Sequence, residues 1–399
     1  MVKSLLVAVL FLAVLGMPVR TAQEPMSLRG LIVLIDFPDH PGAIPVSRAN
    51  SIVNGDGYTE PSVTSSLRDY WRAQSRGHVD FTNTVVGYYR APQPAPWYDT
   101  QPFATVKALY SDALDWVVAT HPDFNWNGLS LANGPMNRSG IEEGTFLSIA
   151  FMTTAWIAGT GGTHFLPPWT APNGVQAQQV CAATFMAPWD TNINLFWLTH
   201  EMGHTVWGWP DTYDNFAASH GTGIYSLMSG NQGTGDIEPV GGPFLAAEAW
   251  VKVVDIRQQR TIVMEPDGDV VARLQNPFDP HEYFVIEARQ QATTGNDAFP
   301  VPRGLLIWHV DDNVTTSNTR PQMTPAEHYR ISVEQADGLF DLEHLVNPGD
   351  SGDVFVPGTE FSPSFQPDSN WWSGAPSGLT IGDIRFLNNG RIQFRALTR

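Results

Sequence analysis

Cysteine is almost missing from this 399-residue chain. Cys181 stands alone, so no disulfide can close within the chain, and packing and hydrogen bonding must hold the fold. Positive charge is scarce too: 22 lysines and arginines face 40 aspartates and glutamates, a formal net charge of -18. Nucleic acid is excluded as a partner, because phosphate binding needs a basic footprint. Long apolar runs are absent but for one, Leu5 to Gly16. Lys3 precedes it and Met17-Pro18 breaks it. The run is short for a bilayer span and reads as the core of a signal peptide, residues 1–22, cleaved near Ala22. The expected product is secreted, off the membrane after cleavage, and monomeric. Export without disulfides suits a bacterium better than a eukaryotic secretory route. Repeats and low-complexity tracts are absent as well. What is there is 42% hydrophobic, enough for a substantial core, in a length that fits one large domain or two ordinary ones.

The most informative stretch is His200-Glu201-Met202-Gly203-His204. Histidines four apart on a helix lie on one face, one turn apart, so both rings can reach one metal ion. The glutamate beside the first can then act as general base on water activated by that ion. Ile193, Phe196, Trp197, His200, His204 and Trp207 recur at helical spacing, with Asp190 or Thr191 as the expected N-cap. Gly208 and Pro210 end the helix and let the chain fold back, offering Asp211 or Asp214 as a third ligand. The spacing thus predicts a zinc site in which Glu201 is catalytic. Ser226-Leu227-Met228-Ser229-Gly230 reads as a tight turn carrying a methionine about twenty residues later.

Around this centre the pattern predicts strands at 31–37, 79–89 and 146–152 and helices at 61–74, 105–120 and 244–253. A long loop rich in Gly, Pro and Trp is expected over 159–173. From Thr261 the texture changes to short alternating segments split by Gly, Pro, Asn and Asp, a β-rich C-terminal region over 256–399. Asp123, Asn125, Asn127 and Gly128 resemble the front of a calcium loop, making calcium a second expected ion. The twelfth position is Gly134, so Glu142 or Glu143 would have to close a longer loop; Asp350 to Asp353 is a weaker cluster.

Several segments in order resemble the M6 metallopeptidases, the immune inhibitor A group of secreted bacterial zinc proteases. They are Leu67-Arg-Asp-Tyr-Trp-Arg-Ala-Gln-Ser-Arg-Gly, Val85-Val-Gly-Tyr-Tyr, the metal helix with its Pro210-Asp211-Thr-Tyr-Asp214 exit, and Ser226-Leu-Met-Ser-Gly. Glu282-Tyr-Phe-Val-Ile-Glu-Ala-Arg-Gln, Gly304-Leu-Leu-Ile-Trp-His-Val-Asp and Glu334-Gln-Ala-Asp-Gly follow. The resemblance implies an α+β, zincin-like catalytic domain over 27–255 with the β-rich region packed on it. It implies zinc held by His200, His204 and Asp211, a Met turn at Met228 beneath the metal as in metzincins, and protein or peptide substrates. The pattern departs in one place: three residues, Thr205 to Trp207, separate His204 from the glycine, where the family has two. One more helical residue would absorb the insertion; otherwise Asp214, or less directly Glu287, takes the ligand role. Tyr225 and His309 are candidate donors to an oxyanion, and His164 a candidate for the cleft wall. By analogy with other zinc peptidases, the 146–152 strand offers pairing to an extended substrate. The alternative is a catalytically weakened relative that binds proteins or glycans, with Trp371-Trp372 as a glycan platform.

Overall fold

The computed structural model describes residues 25–60, 63–129, 131–132, 146–158, 160, 162–184, 195–230, 237–290, 303–314, 323–324 and 326–398. The signal segment, Asp190, Thr191, Gly134, Glu142 and Glu143 lie outside the described residues, as does the side chain of His164. The architecture mixes helix and sheet, with 22% of the described residues helical and 30% in strands.

The first half is built on a five-stranded sheet. Its strands are β1 (Met26–Asp36), β2 (Val79–Arg90), β5 (Ile149–Thr153), β6 (Gly162–Thr170) and β7 (Gln176–Thr184), in the order β2-β1-β5-β7-β6. The short strands β3 (Leu131–Ala132) and β4 (Phe146–Leu147) pair with each other. β1, β2, β5 and β7 run parallel, and β6 is antiparallel to β7. A parallel strand covered on both faces reads as one continuous apolar run, and Leu31 to Ile35 is such a run. Its alternate residues serve opposite cores. Leu31, Val33 and Ile35 pack with α4 (Phe103–Thr120), while Ile32 and Leu34 pack with α1 (Val46–Asn54), α2 (Leu67–Gln74) and α5 (Phe196–Trp207).

Several boundaries differ from expectation, each for a local reason. The helix expected over 61–74 begins at Leu67, because the Ser66 side chain accepts the Asp69 N–H and caps it there. After β2 comes the single turn α3 (Ala95–Asp99), which follows Pro94. The helix expected over 244–253 is shortened to α6 (Gly242–Ala247), with Pro243 in its first turn, and the chain passes into β8 (Lys252–Asp255). The loop expected over 159–173 is mostly strand. β6 carries Pro167 and Pro168, which cannot donate to a ladder, but an edge tolerates them, and the register shifts between Phe165 and Trp169 where they sit.

The second half adds β9 (Arg260–Met264), β10 (Val270–Gln275), β11 (Glu282–Arg289), β12 (Gly304–Asp311), β13 (Ile331–Glu334), β14 (Thr380–Phe386) and β15 (Ile392–Leu397). They form one sheet ordered β13-β12-β11-β10-β8 and another ordered β14-β15-β9. The period of two along a strand divides the larger sheet between two cores. Phe284, Ile286, Leu305 and Ile307 face the smaller sheet. Val285, Leu306, Trp308 and Val310 join the core that also holds Phe196, Met202 and Met228 of the metal region. Apolar packing therefore runs without a break across residue 255.

Candidate metal centre

α5 is the element that gathers the site. All its residues but Trp197 and His204 are buried, so it is packed nearly all round. It ends at Gly208, whose φ of 70° lies in the left-handed region; its N–H, and that of Trp209, return to His204 and Gly203 carbonyls. All three residues after His204, Thr205 to Trp207, are therefore helical. Trp209 is pinned by its indole N–H to Glu248 Oε1 at 2.9 Å, and the chain reverses through Pro210 to bring Asp211 back over the helix.

His200 Nε2 and His204 Nε2 lie 3.1 and 3.0 Å from Asp211 Oδ1. The opposite ring nitrogens are occupied. His200 Nδ1 meets the Leu227 carbonyl at 2.8 Å, and His204 Nδ1 meets the Trp209 carbonyl at 2.6 Å. A carbonyl accepts only, so each Nδ1 carries the proton and each Nε2 keeps its lone pair for the centre, the outer-shell arrangement usual at metal-ligating histidines. Asp211 Oδ1 is buried, yet among the described residues no donor is aligned to hydrogen-bond it, despite its closeness to both rings. Three donor atoms within 4.8 Å of one another, one of them a buried oxygen without an aligned donor among the described residues, fit a cation. In its absence burial disfavours a charged His204, but Asp211 and Glu201 more than offset this and push it up to about 9. Asp211 answers likewise: burial raises its carboxyl, and the two imidazoles pull it well below the usual range. His200 is 2% exposed, whereas His204 and Asp211 are 17% and 19% exposed, so the centre opens to solvent on their side.

The other predicted residues separate cleanly. Glu201 is 3% exposed, one residue from His200, and close enough for its charge to act on His204 and Tyr213. Met228 lies in the turn 227–229 beneath the helix; a Cβ on Gly203 would stand 2.5 Å from its Sδ. Gly203→Val forces this contact apart and should cost about 1–3 kcal/mol, read by chemical denaturation. A loss below about 0.5 kcal/mol would mean the turn yields freely.

Asp214 stands apart from His200, His204 and Asp211. Its Oδ1 accepts the Phe216 N–H at 2.8 Å, and it lies outside the convergent group. Glu287 is in β11, bonded to Trp308 Nε1 at 2.9 Å and paired with Arg289 at 3.0 Å. Tyr225 and His309 are engaged elsewhere. The Tyr225 hydroxyl donates to Asp353 Oδ2 at 2.6 Å, and His309 is held between Glu282 and Glu334 at 3.0 and 3.2 Å. Of the 146–152 segment, the part in β5 offers no edge, because β5 lies between β1 and β7. Trp371 is stacked on Phe284 at 5.0 Å, and Trp372 lies parallel to His309 and His328.

One residue escaped the sequence reading, Tyr213. Its ring stands 6.1 Å from that of His200. Burial, then the charges of Asp211 and Glu201, raise its hydroxyl far above the ordinary tyrosine range, so it stays a donor. The only sequence signal is its place two residues after Asp211.

Of the expected calcium ligands, Asp123 is exposed and joins no convergent group among the described residues. Asp337, Asp350 and Asp353 do lie together, but two are exposed, and such groups are common without an ion. Asp353 itself is 1% exposed, and burial, with help from Asp350 and Asp337, pushes it up to about 6 from 3.8. A raised folded-state pKa contributes stability that is complete below about pH 4 and is lost as pH rises through about 6. Metal-free Asp353→Asn should therefore gain roughly 3 kcal/mol on wild type between pH 4 and pH 7 in urea unfolding. An equal difference at both pH values would refute the assignment.

No protein-family model matches the chain, and no curated protein matches it.

Proposed function

We propose that the chain is a secreted, monomeric, zinc-dependent endopeptidase acting on extracellular proteins, with a zincin-like catalytic unit of the metzincin kind. The observation that carries this reading is the buried Asp211 Oδ1, with no aligned donor among the described residues, within 3.1 Å of two imidazole Nε2 atoms, with Glu201 on the same helix. His200, His204 and Asp211 would hold the ion, which supplies Lewis acidity toward a scissile carbonyl and toward water. Glu201 takes a proton from the attacking water and delivers it to the leaving amine. The Tyr213 hydroxyl, kept protonated by its surroundings, donates to the developing oxyanion. β6, at the sheet edge and in contact with α5, offers an extended substrate strand pairing. As for secretion, the reading rests on the N-terminal segment; no helix among the described residues is long and apolar enough to cross a membrane.

Metal analysis and casein digestion of the purified protein test the reading. The expected result is about one zinc per chain and cleavage abolished by chelator and restored by zinc. Stoichiometric zinc without cleavage of casein or a mixed peptide library would leave a binding protein. Tyr213→Phe should retain zinc and lower kcat by about 10²-fold with KM little changed. An unchanged kcat would exclude the hydroxyl from the reaction.

A further inference from the structure

Between Arg330 and Arg385 the chain carries nine aspartates and glutamates and not one lysine or arginine. This stretch encloses most of a cavity of about 470 Å3, which includes none of His200, His204 and Asp211. Val333, Phe340, Pro367 and Trp371 give it apolar walls, while Glu334, Glu343 and Asp368 also line it, with no lysine or arginine among the described lining.

Two of the three carboxylates, Glu343 and Asp368, meet only neutral donors among the described residues. Glu334 shares His309 with Glu282, one imidazole between two acids. Glu343 Oε2 accepts from the neutral amide of Gln335 at 2.6 Å. Asp368 accepts from the Asn370 N–H at 2.9 Å and the Gln366 amide at 3.3 Å, again neutral donors. Burial, with Glu334 and Asp353 adding to it, pushes Glu343 up to about 7. His309 lines the cavity too, and against the cost of burial Glu282 and Glu334 raise its imidazole, so it serves Glu334 as a cation. Among the described lining Glu343 and Asp368 have no such partner, and negative charge in a partly apolar cavity is costly unless something pairs with it.

The geometry discriminates among occupants. No three donors of this lining fall within the 4.8 Å that the His200, His204 and Asp211 group satisfies, so one metal ion cannot bridge them. A sugar needs an open aromatic face, and the Trp371 and Trp372 rings are stacked on Phe284, His309 and His328. An anion meets three acids. An organic cation with an apolar stem suits both the walls and the charge. Guanidinium, with five donors in a planar fork, can serve several separated carboxylates where a compact ammonium serves fewer. We propose that this cavity binds the side chain of an arginine presented by a peptide or protein, its head taken by Glu343, Asp368 and Glu334 and its stem by Phe340 and Val333. The assignment does not depend on zinc or on peptide hydrolysis.

The test is calorimetric titration of the full chain with acetyl-arginine amide and with acetyl-citrulline amide, its neutral isostere. Saturable arginine binding is expected, with citrulline at least about tenfold weaker. Glu343→Gln and Asp368→Asn should each weaken arginine about tenfold, and Glu265→Gln, an exposed acid outside the cavity lining, should not. No saturation by about 10 mM arginine amide, equal citrulline affinity, or undiminished binding in folded Asp368→Asn would each overturn the proposal.

Discussion

Glu201→Gln should leave zinc bound and lower peptide hydrolysis by about 10³-fold or more. Zinc stays because the substitution touches neither the convergent atoms of His200, His204 and Asp211 nor the Leu227 and Trp209 carbonyls that aim the two rings. Hydrolysis falls because glutamine keeps the shape and can accept a hydrogen bond, but cannot take a proton. Among the described residues the site offers no ready substitute. His200 and His204 are committed through both nitrogens, and Asp211 is turned to them. Tyr213 holds its proton too tightly to serve as a base. The measurement pairs zinc content with turnover of casein or an internally quenched peptide. Near wild-type turnover would sink Glu201 as the base, and loss of zinc would make it a structural support of the ligands.

How much of this was legible follows from the range of the forces involved. The His200 to His204 repeat and the Gly208-Pro210 break are local, and a sequence displays local periodicity directly. The choice between Asp211 and Asp214 is only partly local. It depends on how far α5 runs, and that depends on Trp207 packing edge-on to Trp250 at 4.8 Å and stacking near Trp209 at 6.0 Å. No spacing rule reports a partner more than forty residues away. β6 was hidden for the opposite reason: Pro167 and Pro168 argue against a strand unless its place at the sheet edge is already known. Tyr225 and Trp372 looked chemically available in sequence. Their tertiary partners, Asp353 for one and two histidines for the other, occupy the groups that would have acted. Tyr213 was the converse, a residue without a motif that folding places beside two charges.

Asp211→Ala and Asp214→Ala should part company sharply, although both aspartates sit in one short exit loop. Asp211→Ala removes the oxygen that both Nε2 atoms approach within 3.1 Å and leaves the two imidazoles without a carboxylate between them. Losing an outer-shell partner already costs a metal site 10- to 100-fold in affinity, so losing a ligand should weaken zinc by at least about 10²-fold and abolish hydrolysis at ordinary zinc levels. Folding should survive, because Asp211 is partly exposed and its Oδ1 bonds to nothing else. Asp214→Ala should do the reverse. Its side chain closes a turn onto the Phe216 N–H in a buried setting, so stability falls by about 1–2 kcal/mol while zinc affinity and kcat hold. Competition with a chromogenic chelator measures the first effect and urea unfolding the second. If Asp214→Ala lost zinc and Asp211→Ala kept it, the exit loop would have to turn the other way in the metal-bound protein, handing the ligand role to the residue three positions on.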